Sequence, residues 1–387
     1  MKRIGIVTLY HRNYNYGGQL QAYAMRKVLD ACGWEARAVA FEADKRAYFR
    51  QRFKDLSLKD TVTRAFGKVL FLAMRMDGSR KKAFQAKIWR FNQFMDDIPH
   101  TETFTEETIS ACGDEFDAFV CGSDQVWNPG WWNDFYLMRF TDKPRFAYAV
   151  SLGRLSLRDE DFARIRNGTE GYLGISVREQ EAQRVLERKL AVPVEFCLDP
   201  TLLLRREDWE TVAVPPLVTS KYILLYMIGD EMKLKGDIYR HCKRKGYEVV
   251  SIEFAKNTVQ SFSDGKFCDF PALDAGPKEW LGWISNADYV FTDSFHGSVF
   301  SLIFRRKFWC LERQRPDDPK NENSRLYSLL SLAGLEDRLL KSDADLLNFE
   351  RDAAIDFDDA ERRLSPYRER SWAYISGCLG KAERNHA

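Results

Sequence analysis

At residues 289–304 the chain reads YVFTDSFHGSVFSLIF, where an apolar strand pattern ends in a polar turn and a helical pattern follows. Short apolar runs alternate with helical patterns along the chain, which is typical of a parallel sheet covered by helices. The predicted strands are residues 4–9, 36–40, 118–121, 146–150, 173–177, 194–197, 222–227, 248–252, 289–291 and 307–311. Helical patterns lie between them, for example at residues 19–31, 179–189 and 297–304. These patterns predict an α/β fold class.

The chain length predicts more than one core. The chain has 387 residues, whereas a single hydrophobic core stops growing near ~250–300 residues. We predict an N-terminal lobe, 1–200, a C-terminal lobe, 201–345, and a helical segment, 346–387, that packs back on the N-terminal lobe. Proline and polar residues cluster around the crossover at 198–216. Because Ser365 precedes Pro366, we also predict a helix start there.

Composition excludes several classes of protein. Hydrophobic residues make up 45% of the chain, charged residues 30%, and the net charge is +2, which gives no reason to expect nucleic acid as a partner. No apolar stretch approaches the ~18–20 residues that span a bilayer. The eight cysteines form no Cys-x-x-Cys pair and no zinc-like spacing, which fits a reducing compartment. The apolar run at 4–9 is too short for a signal peptide, so we predict a cytoplasmic protein. The sequence shows no pattern of metal ligands, so we predict no bound metal.

Residues 45–90 depart from this average. They contain fourteen Lys or Arg and only three Asp, with aromatic residues interleaved, and their pattern looks helical and amphipathic. One interpretation is a solvated helical insertion of the N-terminal lobe, at about residues 45–95. The other is a basic face for peripheral contact with anionic phospholipid or a lipid-diphosphate acceptor.

The turn at residues 293–298 carries the most informative chemistry. His296 lies beside Gly297 where a predicted strand passes into a helix. A histidine there can exchange a proton near neutral pH, and the helix N-terminus with the hydroxyls of Ser294 and Ser298 can hold an anion. The alternative is a structural histidine with satisfied hydrogen bonds.

The first βα turn contains Asn15, Tyr16, Gly17 and Gly18. A glycine pair between a strand and a helix lets the backbone approach a ligand closely, and the free N–H groups of the helix attract an anion. The spacing is not that of a dinucleotide-binding loop. The alternative is a plain tight turn.

A polar block follows the predicted strand at 118–121. Ser123, Asp124, Gln125 and Asn128 can hydrogen-bond sugar hydroxyls, and the indole of Trp127 can offer its face to a sugar ring. Ligands of open α/β sheets bind beyond the carboxyl ends of the strands, where this block lies. The alternative is a capped helix start, since Ser and Asp are good N-cap residues.

Arg178 ends another predicted strand. Its planar guanidinium suits phosphate or carboxylate, and its position directs it into the same crevice. The alternative is a salt bridge to Glu179 or Glu181.

In matching order from about residue 3 to 340, these blocks resemble the polysaccharide pyruvyl transferase family. The residues that carry the resemblance are Asn15-Tyr16-Gly17-Gly18, Cys121-Gly122-Ser123-Asp124-Gln125-Val126-Trp127, Ser176-Val177-Arg178-Glu179, Asp293-Ser294-Phe295-His296-Gly297, Asp199-Pro200-Thr201 and the 323–326 stretch. The resemblance implies two Rossmann-like lobes with parallel sheets, similar to the glycosyltransferase B arrangement, with the site between them. It implies transfer of pyruvate from phosphoenolpyruvate to a saccharide or lipid-linked saccharide as a ketal. That reaction belongs to cell-surface polysaccharide (exopolysaccharide or capsule) biosynthesis.

The resemblance also implies roles for single residues. His296 is the expected acid/base, and the loops at 15–18 and 123–128 are expected to meet the acceptor. The expected donor-binding residues are Arg178, Ser294, Phe295, Gly297, Ser298, Lys307 and Arg325. Many family members have arginine where this chain has Ser294, so we expect Lys307, Lys320 or Arg325 to supply that charge. Phosphoenolpyruvate is a co-substrate, and no cofactor is implied.

Two other functions remain open from the sequence. The serine at position 294 also fits a nucleotide-sugar glycosyltransferase on the same architecture. The cleft or the basic segment also fits a non-catalytic protein that binds an anion or a saccharide.

Overall fold

A computed structural model describes most of the chain. The described residues are 1–43, 78–131, 133–154, 156–218, 220–229, 232–252, 267–315, 318, 321–341 and 354–385. Two parallel sheets of six strands each form the frame of these residues, which confirms the predicted α/β class.

The first sheet has the strand order β2-β1-β3-β4-β5-β6, with every neighbouring pair parallel. Its strands are β1 (Arg3–Val7), β2 (Glu35–Ala38), β3 (Ala118–Cys121), β4 (Arg145–Val150), β5 (Ile175–Val177) and β6 (Glu195–Phe196). The helices of this lobe are α1 (Tyr16–Ala31), α2 (Gly78–Asp96), α3 (Asp159–Gly168) and α4 (Gln180–Leu190). Side chains alternate between two apolar clusters along β1 and β3, so both faces of the sheet are covered.

The second sheet has the order β12-β11-β10-β7-β8-β9, again parallel throughout. Its strands are β7 (Tyr222–Tyr226), β8 (Glu248–Ser251), β9 (Phe270–Pro271), β10 (Tyr289–Thr292), β11 (Lys307–Leu311) and β12 (Leu339–Leu340). The helices between the sheets and in this lobe are α5 (Arg206–Glu210), α6 (Met232–Arg244), α7 (Pro277–Asn286), α8 (Phe295–Ile303) and α9 (Ser324–Ala333). All ten predicted strands are present, and the two-residue strands β9 and β12 were not predicted.

The two lobes share one apolar interior. A single cluster of buried side chains runs from the first sheet into the second and includes Tyr16, Trp209 and Trp280. The Tyr16 ring stacks on Trp280 at 5.3 Å between centroids, and its hydroxyl donates to the carbonyl of Ala275 at 2.7 Å. The start of α1 therefore packs directly against the second lobe.

The C-terminal helix α10 (Phe357–Arg384) contacts both lobes. Asp358, near its start, pairs with Arg305 of the second lobe. Farther along, the Tyr374 hydroxyl donates to the carbonyl of Ala147 in β4 at 2.9 Å. The predicted helix start at Ser365 is wrong: Asp356 is the N-cap and Pro366 lies inside one continuous helix. The helix tolerates the pyrrolidine ring of Pro366 because this residue is exposed, so that water can donate a hydrogen bond to the backbone carbonyl that loses its partner.

Part of the basic segment is described. Residues 78–90 belong to α2, where Arg90 donates to the carbonyl of Asp274 at 2.8 Å and so joins the lobes. Trp89 is 60% exposed on the same helix. The rest of the segment, residues 45–77, lies outside the described residues.

Candidate active site

Loops from both sheets meet in the cleft between the lobes. Residues 122–128 follow β3, Arg178 follows β5, and residues 293–296 follow β10. These are carboxyl ends of parallel strands, the positions where open α/β sheets present ligand-binding side chains. The structure therefore brings Arg178 and His296, more than a hundred residues apart, to one place.

Asp199 lies at the centre of this meeting point. Its Oδ1 accepts from the Thr201 amide at 3.1 Å and from the Thr201 hydroxyl at 2.7 Å. Its Oδ2 is 2.6 Å from Nη1 of Arg178, 3.0 Å from the Ser123 hydroxyl and 3.7 Å from Nε2 of His296. One fully buried carboxylate thus contacts three loops of the first lobe and faces the histidine of the second.

Burial by itself would raise the pKa of the Asp199 carboxyl. The facing imidazole of His296, the charge of Arg178 and the hydrogen bond from Thr201 outweigh that effect and lower the pKa well below its ordinary value. Asp199 is therefore a fixed negative charge at the centre of the cleft.

Arg178 is enclosed by carboxylates. Besides Asp199, its Nη2 donates to Asp124 at 2.9 Å, and its Nε lies 3.5 Å from Glu179. The guanidinium stacks on the Phe295 ring at 4.6 Å from the centroid, and only 1% of the side chain is exposed. Burial would lower the pKa of Arg178, but the three carboxylates raise it above its ordinary value. The salt-bridge interpretation therefore describes Arg178 in this structure, with Asp124 and Asp199 as close partners in addition to Glu179.

His296 is held between the lobes. It is the second residue of α8, and its Nε2 faces Asp199 at a separation longer than a hydrogen bond. On the other side, a Cβ built on Gly17 would lie 2.0 Å from Nδ1 of the ring. The glycine at the start of α1 is therefore what lets the first lobe close on this imidazole.

The serines around His296 serve the helix. The Ser294 hydroxyl accepts from the Gly297 amide at 3.3 Å as the N-cap of α8, and the Ser298 hydroxyl donates to the Ser294 carbonyl at 3.1 Å. A Cβ on Gly297 would lie 2.4 Å from the Thr292 hydroxyl, so this turn needs glycine for close packing. These contacts favour a structural role for both hydroxyls.

Several residues expected to meet the acceptor have structural contacts instead. Asn15 caps α1 by accepting from the Gly17 amide at 2.9 Å, and Gly18 packs against Asn13, so both have structural partners. Trp127 is fully buried, and its indole donates to the Tyr136 carbonyl at 3.3 Å. The side chain belongs to an apolar core cluster of the first lobe, so this structure exposes no indole surface to which a sugar could bind.

Gln125 and Asn128 face the second lobe. With the Gln125 amide oxygen toward Arg325, it accepts from Nη1 at 2.6 Å and from Nη2 at 3.0 Å. The Asn128 amide donates to Glu322 at 3.4 Å. These two side chains of the 123–128 block thus bind the partner lobe across the cleft.

Arg325 does lie at the cleft, and Arg313 joins it there. Arg325 donates to Glu322 at 2.9 Å, and Nη1 of Arg313 lies 3.4 Å from the same carboxylate oxygen. Arg313 also donates to the carbonyl of Asp293 at 3.1 Å. Arg313 and Glu322 were missed in the sequence analysis, because the stretch around them has no strand or helix pattern from which the orientation of their side chains could be predicted.

The structure does not bring Lys307 to this site. It begins β11, at the end of the strand away from the cleft, and its ammonium lies over the Tyr289 ring at 5.1 Å. Lys320 lies outside the described residues. Of the three lysines and arginines considered for the missing charge, Arg325 is the one that the described structure places at the cleft.

Other features of the described chain bear on function. Among the described residues, no group of three His, Cys, Asp or Glu side chains could hold a metal ion. Within the same residues, no helix is long and apolar enough to cross a membrane.

The model of the polysaccharide pyruvyl transferase family matches residues 15–315 of the chain. The protein belongs to this family. The match covers the loops at 15–18, 122–128, 178 and 293–296 and the turn at Asp199, ends before Glu322 and Arg325, and confirms the resemblance seen in the sequence. No curated protein sequence matches this family member.

Solved structures match the whole fold at low identity. UDP-GlcNAc 2-epimerase from Neisseria meningitidis is 9% identical with a TM-score of 0.50, covering 98% of this chain and 100% of that one. Another UDP-N-acetylglucosamine 2-epimerase is 8% identical with a TM-score of 0.50, covering 98% and 96%. The E. coli heptosyltransferase WaaC is 10% identical with a TM-score of 0.41, covering 91% and 100%. The likeness concerns the fold, and the predicted arrangement of two lobes with parallel sheets is confirmed.

Proposed function

We propose that this pyruvyl transferase takes its pyruvyl group from phosphoenolpyruvate and forms a cyclic ketal on a saccharide, releasing inorganic phosphate. The observation that carries the proposal is the placement of His296 against Asp199 in the cleft of a chain whose family match spans both lobes. An imidazole beside a buried carboxylate suits a reaction that needs one proton delivered to carbon.

The reaction balances without a metal or an oxidant. One acceptor hydroxyl adds to C2 of phosphoenolpyruvate while C3 gains a proton and becomes a methyl group. A second hydroxyl then replaces the phosphate at C2, and its proton leaves with the phosphate. His296 carries the proton in this scheme, a contribution of ~10²–10⁴-fold to the rate.

The other residues of the cleft hold His296 in place. Asp199 faces Nε2 at 3.7 Å and would orient the ring after a small approach of the two groups, and Arg178 holds Asp199 through the 2.6 Å contact. We assign Arg178 to positioning, because its own charge is already met by three carboxylates. The loop at 15–18 closes the cleft above the imidazole.

The experiment measures phosphate release from phosphoenolpyruvate with a panel of hexosides that carry two neighbouring free hydroxyls. We expect His296→Ala to lower the rate by at least ~10²-fold, since it removes the proton carrier. His100→Gln, a histidine that contacts Ile98 and Tyr10 in the first lobe, is the matched control and should keep the rate. Equal rates for His296→Ala and the wild type would refute the role of His296.

A second function is favoured by one observation. Because Arg178 has no free charge for an anion and position 294 is serine, a nucleotide sugar is the competing donor. A thermal-shift panel separates the two donors, because saturating ligand stabilises the folded protein by ~2.7 kcal/mol at a hundred dissociation constants. A shift with nucleotide sugars and none with phosphoenolpyruvate would replace our proposal with this one.

We further propose a lipid-linked saccharide acceptor at the inner face of the cytoplasmic membrane. The support is the charge of the basic segment and the exposed Lys81, Lys82 and Trp89 on α2. Binding to anionic liposomes should fall when Arg80, Lys81 and Lys82 are all changed to Glu. Undiminished binding by that variant would exclude this face as the contact.

A further inference from the structure

The two groups of arginines at the cleft differ in how their charge is balanced. Arg178 has three carboxylates within 3.5 Å, from Asp124, Glu179 and Asp199. Arg313 and Arg325 share one oxygen of Glu322, at 3.4 and 2.9 Å. Close carboxylates therefore outnumber the arginine three to one around Arg178, whereas Arg313 and Arg325 share a single close carboxylate.

Asp293 is a second, more distant carboxylate near Arg313. Its oxygens accept from the amides of Ile228 at 2.7 Å and Gly229 at 2.6 Å, and Oδ2 is 3.8 Å from Nε of Arg313. That Nε is buried without a hydrogen-bond partner among the described residues. Asp293 thus fixes the loop after β7 and balances part of the charge of Arg313 without a hydrogen bond to it.

The charges around Arg325 are consistent with this imbalance. Burial lowers the pKa of Arg325, and the charges of Arg313 and Arg178 lower it further against the opposing effect of Glu322. Arg178 shows the opposite direction, because its carboxylates raise its pKa in spite of burial. An anion that enters the cleft is consequently stabilised most beside Arg313 and Arg325.

A narrow crevice lies beside these two guanidinium groups. It is lined by Phe295, Asn323 and Glu322 and does not admit a water molecule in this structure, so a ligand there has to displace a protein group. The Phe295 ring meets the His296 ring at 5.1 Å between centroids. An anion that replaces the Glu322 carboxylate would therefore lie near the side chain that we propose moves the proton.

We propose that the anionic end of the donor, a carboxylate or a phosphate, binds Arg313 and Arg325, and that Glu322 is the internal counter-ion that the donor replaces. Paired guanidinium groups suit such oxyanions because each presents a planar fork of N–H donors. The identity of the donor as phosphoenolpyruvate rests on the proposed function. The pairing of the two arginines with an oxyanion does not depend on it.

The test compares two isosteric variants by calorimetric titration with phosphoenolpyruvate. Glu322→Gln removes the competing carboxylate from Arg313 and Arg325, so we expect the Kd to fall about tenfold, the size of one charge-assisted hydrogen bond. Glu179→Gln removes a charge that lies 3.5 Å from Arg178 and acts on Arg325 only from farther away, so it should lower the Kd clearly less than Glu322→Gln does. Tighter binding in Glu179→Gln with none in Glu322→Gln would overturn the proposal in favour of Arg178.

A second variant keeps the test open if Glu322→Gln fails to fold. Arg313→Gln changes a side chain that is 17% exposed and should raise the Kd by roughly 10–100-fold, with Arg313→Lys between the two. An unchanged Kd in Arg313→Gln would overturn the proposal and leave the proposed reaction intact.

Inorganic phosphate as a second titrant separates this inference from the proposed function. Phosphate binding that weakens in Arg313→Gln, with no binding of phosphoenolpyruvate by the wild type, would keep the anion site and reject the donor. Binding of neither compound by the wild type would overturn both.

Discussion

Asp199 joins the two halves of the candidate site at the scale of single residues. Four protein groups approach its oxygens within hydrogen-bond distance, and His296 faces it from the other lobe. Removing this buried carboxylate leaves its hydrogen-bonding partners unpaired, which costs free energy in a low-dielectric interior.

Asp199→Asn is expected to lower the free energy of unfolding by ~3 kcal/mol at pH 7, because it breaks a buried ion pair while leaving Arg178 in place. The pKa of Asp199 is lowered in the folded protein, so its contribution is present above the unfolded value near ~4 and is lost as the pH falls below it. Urea unfolding of the wild type and the variant at a series of pH values measures this.

The difference in the free energy of unfolding between the wild type and Asp199→Asn should therefore be largest at neutral pH and become smaller in acid. Asp159→Asn removes an exposed carboxylate that pairs with Lys189 and serves as the control, with little change expected. A difference that stays constant from neutral to acid pH would contradict the role of Asp199 as a stabilising charge.

Residue type and position were enough to find some of these side chains and not others. His296 and Arg178 follow predicted strands, and the carboxyl ends of parallel strands converge, so their meeting could be predicted. The burial of Trp127 could not, because the sequence around an irregular loop does not fix the direction of an indole. Lys307 begins the predicted strand at 307–311, so the same rule already places it at the end of the strand away from the cleft, and only the resemblance suggested it as a donor-binding residue.

At the scale of elements, α10 is the helix that departs most from its sequence signals. The pair Ser365-Pro366 has the chemistry of a helix start, yet packing on both sides continues the helix through it. The two-residue strands β9 and β12 were missed because β9 contains Pro271, which argues against a strand, and β12 is flanked by Arg338 and Lys341. The equally short β6 was predicted because it lies within the run at 194–197, and the other nine predicted runs match the remaining strands.

Pro366→Ala is expected to raise the free energy of unfolding by about 2 kcal/mol, because it restores a helix hydrogen bond and removes a steric conflict worth up to ~3 kcal/mol. Pro277→Ala is the matched control: Pro277 is in the first turn of α7, where its fixed φ suits the helix, so that change should slightly destabilise the protein. Thermal unfolding of the two variants measures the change in stability for each. A change in the same direction for both variants would contradict this account.

At the scale of the whole molecule, the cleft is closed by contacts that need a glycine. Gly17→Ala places a methyl group 2.0 Å from Nδ1 of His296, so the lobes must separate or the imidazole must turn. We expect the transfer rate to fall about 10²-fold, the usual result of misplacing a reacting group by an ångström. Small-angle scattering should show a larger radius of gyration if the lobes separate.

Gly377→Ala is the control for this change. A Cβ at that position of α10 meets nothing within 4 Å, so the variant should keep its activity and gain up to ~1 kcal/mol from helix propensity. Full activity in Gly17→Ala would mean that the catalytically competent arrangement is more open than this structure.

The chain crosses between the lobes twice, once between β6 and β7 and again where α10 returns to the first sheet. Arg305 contacts the beginning of α10 from one lobe and Ala147 contacts a later turn from the other, with Pro366 between them. Two separate connections oppose sliding of one lobe past the other more than they oppose a rotation about the line through both. If the lobes move apart when reactants bind or leave, we therefore expect a rotation about that line, with bending of α10 at Pro366, where one helix hydrogen bond is missing.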